Sequence, residues 1–88
     1  VKYRKKPVEI QAVQFTGSNY AEVFAFVGHD APVGVDEDGG TKWVQLTTVH
    51  GDTAYARPGD WIIPEPQPGR FYPCNPDIFA ASYDAVTS

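Results

Sequence analysis

Cys74 is the chain's only cysteine, so an internal disulfide and a cysteine-based zinc site are both excluded, which fits a reducing compartment. No stretch approaches the roughly 18 to 20 consecutive apolar residues that a membrane span needs. No basic segment leads into an apolar signal region either, so the expectation is a soluble chain that is not exported and has no membrane partner. Histidine is scarce: His29 and His50 are the two. With no CxxC, no HExxH and no glycine-rich phosphate loop, no metal site, cofactor or catalytic residue is expected, and the chain reads as non-enzymatic. The remaining route to catalysis is a pairing in space of Cys74 with a histidine, helped by the amides of a following helical turn that could lower the thiol pKa. No nucleophile motif accompanies it. Cys74 sits between prolines in an apolar stretch, so the expectation is a buried, unreactive thiol.

What the chain has in abundance is corners. Eight glycines and eight prolines in 88 residues point to many turns rather than long helices, within a single domain covering residues 1–88. Pro58, Pro64, Pro66, Pro68, Pro73 and Pro76 crowd the last third, interleaved with Tyr55, Trp61, Phe71, Tyr72, Phe79 and Tyr83. Pro58-Gly59 makes a tight turn, because proline fixes φ at one corner position and glycine accepts positive φ at the next. Trp61-Ile62-Ile63 is then a short, largely buried strand. Pro64 to Pro68 is expected to be an extended, solvated connection of polyproline type, from which Arg70-Phe71-Tyr72 returns as a second strand. Asn75-Pro76-Asp77 spells the start of one helical turn, and Ala80 to Val86 alternates weakly as a closing strand.

Upstream, Val8 to Phe15 reads as the first strand, with a change of phase at Val13 that implies a bulge or two covered faces. Tyr20 to Val27 is the clearest helix. Tyr20, Val23, Phe24 and Val27 share one face, Asn19 and Glu22 resemble a capping box, and Gly28 is a natural stop. Phe26 lies off that stripe. Val33 and Val35 suggest a short edge strand, Asp36 to Gly40 a charged turn, and Lys42 to Val49 a strand whose hairpin turns at His50-Gly51, setting Leu46 opposite Tyr55. The fold class is α+β: a small, strongly bent, mainly antiparallel sheet of five or six strands with one helix packed on it.

The formal net charge is −4, unevenly spread. Lys2, Arg4, Lys5 and Lys6 form a basic N-terminal arm within residues 1–7, while Lys42, Arg57 and Arg70 stand against all eleven acids in the rest. An arm of this kind can track phosphate. An acidic body repels a nucleic-acid backbone, so nucleic acid is not an expected partner.

KYRKKPVEIQAVQFTG at the start, with RPGDWII, FYPC, PDIF and Tyr83 near the end, resembles a family of small uncharacterised proteins encoded by tailed phages and prophages. The resemblance covers roughly residues 2–28 and 57–84 and leaves out the middle. It implies a phage gene product acting in the host cell cytoplasm, and it brings no activity, cofactor or catalytic residue with it. The PEPQP insert after RPGDWII departs from the short connection usual in that family.

Binding is the function class the residues favour. Trp43, Tyr55, Trp61, Phe71, Tyr72 and Tyr83 are more aromatics than one small core readily hides, and Trp, Tyr and Arg dominate interface energies. Arg57, Trp61, Arg70 and Tyr72 are therefore the candidate partner-binding residues, grouped around the proline loop. The expected function is that of a phage accessory protein that binds and modulates a host protein. The alternatives are sequestration of a nucleotide-like small ligand and a minor virion or assembly component. A homodimer is a further expectation, because the 33–38 and 81–86 segments read as poorly blocked sheet edges.

Overall fold

The computed structural model describes residues 10–28 and 30–83. Its elements in chain order are β1 (Val13–Gln14), α1 (Tyr20–Val27), β2 (Val33–Val35), β3 (Thr41–Thr47), β4 (Thr53–Ala56), β5 (Trp61–Pro64), β6 (Phe71–Cys74) and α2 (Pro76–Ser82). The α+β class holds, but the single bent sheet with one helix does not. Among the described residues the strands form two three-stranded antiparallel sheets, ordered β1-β5-β6 and β2-β3-β4, and there are two helices.

The corner after β4 separates the sheets. Pro58 has no N–H to continue a ladder, and Gly59 adopts a φ of 100°, which an L side chain rarely takes. Asp60 N–H donates to Arg57 O at 2.9 Å and Arg57 N–H to Asp60 Oδ2 at 3.0 Å, closing the turn. The same corner docks on the end of β1. Gly59 N–H donates to Phe15 O, and Phe15 N–H donates to Asp60 O. Turned this way, β5 pairs with β1 (Val13 with Ile62) rather than with β4.

Side-chain alternation then sets the core. Val33, Val44 and Ala56 are opposite one another across β2, β3 and β4, while Val13, Ile62 and Pro73 are opposite across the other sheet. Phe15, Val23, Val44, Leu46, Ala56 and Ile62 form the main buried cluster, with Phe26 and Phe71 packed on it and on each other at 5.5 Å. Phe26 thus widens the buried face of α1. Each such fully buried side chain stabilises the fold by roughly 1.5–3 kcal/mol.

Several local expectations are corrected. The first strand shrinks to Val13–Gln14: Ile10 is about one-third exposed, Ala12 is outside any strand, and Val8 lies outside the described residues. The phase of Val13 and Phe15 prevails because Phe15 is fully buried. Asn19 does not cap α1 with its side chain. It accepts from Thr16 N–H and donates to Gln14 O and Glu22 Oε1, which clamps the turn before the helix. The β3–β4 register is one residue off the expected pairing, with Leu46 opposite Ala54. Gly51, at a φ of 85°, adds a bulge residue, and Thr48 N–H bonds to Asp52 O around a three-residue loop.

In the last third, the proline connection is not an extended spacer but a closed hairpin loop. Glu65 N–H donates to Arg70 O at 2.9 Å, and Arg70 N–H to Gln67 O at 3.2 Å around the Pro68-Gly69 corner. The expected closing strand is helix as far as Ser82, and the 84–86 part lies outside the described residues. Asn75 caps that helix, accepting from Asp77 N–H at 2.8 Å, with Pro76 in the first turn. Ala80 and Ala81 favour helix, and helical spacing places Phe79 and Tyr83 on one side, where their rings stack at 4.9 Å. Ala81 and Ser82 therefore offer no sheet edge for a homodimer, which leaves β2 as the exposed edge of that expectation.

Candidate functional site

Alternation along β5 sends Ile62 toward the main core and Trp61 and Ile63 to the opposite face of the sheet. On that face Gln14, Trp61 and Cys74 are cross-strand neighbours, as are Ile63 and Tyr72. An unpartnered sheet face would expose Ile63, yet Ile63 is 2% exposed; Tyr72 lies beside it on this face, and α2 packs on the neighbouring Trp61. Phe79 stacks on Trp61 with ring centroids 4.2 Å apart, Tyr83 stacks on Phe79, and the Tyr83 and Tyr72 hydroxyls lie 3.4 Å apart. Trp61, Phe79, Tyr83 and Tyr72 thus form a row of half-buried aromatics on this face.

Beyond the end of that row the surface opens into a groove of about 360 Å³ lined by Ile10, Ile63, Pro64, Glu65, Pro66, Tyr72 and Tyr83. Its walls are mostly apolar, with Tyr72, Tyr83 and Glu65 as the residues that carry polar groups. Glu65 is held in place: its Oε2 accepts from Val49 N–H in the β3–β4 loop, tying the two hairpins together. Burial, then the hydrogen bond to Tyr83, push Tyr72 up to about 12, with repulsion from Tyr83, Cys74 and Glu65 acting in the same direction. Tyr72 therefore presents a neutral hydroxyl at any physiological pH.

The four candidate residues separate into two groups. Trp61 and Tyr72 lie on the same sheet face, joined through Phe79 and Tyr83. Arg57 and Arg70 flank opposite ends of β5, Arg57 at the exposed corner before Trp61 and Arg70 beside Glu65 at the far hairpin loop. Sequence reasoning passed over Glu65, Ile10 and Pro66 as groove residues. Phe79 stood there only among the aromatics of the last third. The spacing of Phe79 and Tyr83, four apart after an Asn-Pro helix start, is the signal that could have found the helical cover.

The catalytic alternative is not assembled among the described residues. Cys74 is half-buried rather than buried, because it ends β6, an edge strand of its sheet; its Sγ contacts Asn75 O at 3.6 Å. Cys74 pairs with Trp61 at one end of β5, whereas His50 is exposed in the loop whose neighbour Val49 meets Glu65 at the other end. His29 lies outside the described residues. Among the described residues no three His, Cys, Asp or Glu side chains gather where they could hold a metal ion, and no helix is long and apolar enough to cross a membrane.

Compared with protein-family models, with curated proteins and with solved structures, the chain matches none.

Proposed function

We propose that this chain is a non-enzymatic accessory protein of a tailed phage that binds and modulates a host protein in the host cytoplasm, and that the partner docks in the groove beside the proline loop. The observation that carries the reading is the groove itself: apolar walls, two tyrosine rings and a fixed carboxylate on a closed hairpin. Little ordering entropy is lost when a partner meets a surface already held this way. The resemblance supports it from another side. RPGDWII, FYPC and PDIF are the segments that build the corner, β5, β6 and α2, and so the face from which the groove opens.

The weaker readings are a nucleotide-like ligand and a virion component. Among the described residues Glu65 is the charged one lining the groove, and a carboxylate opposes a phosphate there.

The experiment is capture of the partner on immobilised protein, followed by affinity measurement with the purified partner. Tyr72→Ala should weaken binding by about 1 kcal/mol or more, while Trp43→Ala on the other sheet leaves it unchanged. Arg70→Ala at the loop's edge distinguishes a broad footprint from one confined to the groove. Wild-type affinity in Tyr72→Ala, with the protein still folded, would remove the groove as the site.

A further inference from the structure

We infer that the groove receives a basic side chain, lysine or arginine, carried on an extended segment of the protein partner. This rests on the docking reading above and adds the chemistry of what docks.

Three features of the lining point the same way. First, Glu65 is its one charged residue among the described residues, and the bond from Val49 N–H to Oε2 holds that carboxylate in place instead of leaving it to swing in solvent. Arg70 does not line the groove, although its carbonyl accepts from Glu65 N–H on the loop backbone. Second, Tyr72 and Tyr83 are both in the lining, and aromatic rings attract a cation placed within roughly 6 Å of the ring centroid. One flank of Tyr83 is occupied by Phe79, which fixes the ring before any ligand arrives. Third, Ile63, Pro64 and Pro66 supply apolar wall, which suits the methylene stem that lysine and arginine lay along a surface while the charged end reaches a polar partner.

Other occupants fit less well. An acidic or phosphorylated side chain would meet Glu65 and the electron-rich ring faces, both repulsive. A purely aliphatic one would leave the carboxylate facing apolar atoms, a desolvation cost without a partner. The volume, about 360 Å³ and open to solvent, lies at the low end for ligand pockets and fits one long side chain with its flanking backbone rather than a folded element. The chain as a whole is acidic, at net −4, so long-range attraction also favours a basic segment.

The test uses the full chain, isotope-labelled for NMR, titrated with two blocked pentapeptides: Ala-Val-Lys-Val-Ala and the same peptide with norleucine, which keeps the four-carbon stem and lacks the ammonium group, in place of lysine. The expected result is saturable shifts at Ile63, Glu65, Tyr72 and Tyr83 with the lysine peptide, and affinity about tenfold above the norleucine peptide. Glu65→Gln should erase that preference, and its amide oxygen can still accept from Val49 N–H, so folding is retained. Equal affinity of the two peptides at these residues would overturn the cationic assignment and leave the docking reading standing. A lysine preference that survives intact in Glu65→Gln overturns the part given to the carboxylate. Absence of shifts at these residues with either peptide overturns both the cationic assignment and the groove as docking site.

Discussion

Phe79 lies flat on Trp61, with 4.2 Å between ring centroids and 7° between ring planes. That contact lays α2 against the face of the sheet opposite the main core, the face that Trp61 and Ile63 share while Ile62 points into the main cluster. It also anchors Tyr83, and through Tyr83 the hydroxyl of Tyr72. The groove therefore depends on a helix of seven residues that is held by stacking.

Removing the stack should be felt as stability and as fluorescence together. Phe79→Ala is expected to lower unfolding free energy by about 2 kcal/mol, below the usual range for a fully buried phenylalanine because Phe79 is half-exposed. Tryptophan emission should shift to the red as Trp61 gains water. Denaturant melts followed by fluorescence check both, and an unchanged midpoint would mean that α2 is held by something other than this contact.

On the other sheet, Gly34 stands opposite Trp43, and the indole lies across the glycine so closely that an added Cβ would be 2.2 Å from Nε1. A ring that rigid cannot yield at its tip, so Gly34→Ala should destabilise by about 1–3 kcal/mol. The prediction is sharper as a double-mutant cycle. In a Trp43→Leu background the clash is gone, and Gly34→Ala should become neutral or slightly stabilising. Additive effects would show that the glycine is needed for another reason. Tyr55 packs edge-on against Trp43 at 5.1 Å, so the indole has little room to rotate away.

How much of this was legible in the residues depends on how local each signal is. Helix α1 could be read from Tyr20, Val23, Phe24 and Val27 with Gly28 after them, since period and stop lie within nine residues. The Pro58-Gly59 corner was equally plain. The division into two sheets was not, because it turns on Phe15 bonding to Gly59 and Asp60, a long-range contact with no pattern of its own. The β3–β4 register slipped by one because glycine at position 51 serves a two-residue turn and a bulged three-residue loop equally well. At the site, Trp61 and Tyr72 stood out by residue type. Glu65 did not, because prolines on either side made its segment look like a spacer and the Val49 contact that fixes it comes from another hairpin.

The Tyr72 hydroxyl supplies a pH test. Its folded-state pKa is raised from the ordinary 10 to about 12, so below pH 10 it is protonated in both folded and unfolded chains and its full contribution to stability is present. As pH climbs through the window from about 10 to 12, the unfolded chain gives up this proton first, unfolding is favoured, and stability falls. Chemical denaturation at about pH 9 and pH 11.5 should show the loss, and Tyr72→Phe should flatten the part of it that belongs to this residue. Phenolate absorbance should likewise lose its highest-titrating component in that variant. A wild-type curve that titrates as free tyrosine throughout would contradict the burial of Tyr72 against Tyr83.

Glu65 Oε2 accepts from Val49 N–H, and Glu65 itself is paired through its backbone to Arg70, so one residue holds the β3–β4 loop against the β5–β6 loop. Glu65→Ala removes the acceptor, and a hydrogen bond to a charged group is worth about 1.5–3 kcal/mol, with exposure of Val49 placing this one at the low end. Glu65→Gln keeps an acceptor oxygen in the same place and should recover most of that loss. Amide hydrogen exchange gives the local readout: the Val49 N–H should exchange slowly in the wild type and in Glu65→Gln, and fast in Glu65→Ala. If Val49 exchanges at the same rate in all three, the carboxylate does not bridge the loops in solution. A basic side chain arriving in the groove would then meet a mobile Glu65, and its preference over a neutral one would shrink, because the carboxylate would have to be ordered as it binds.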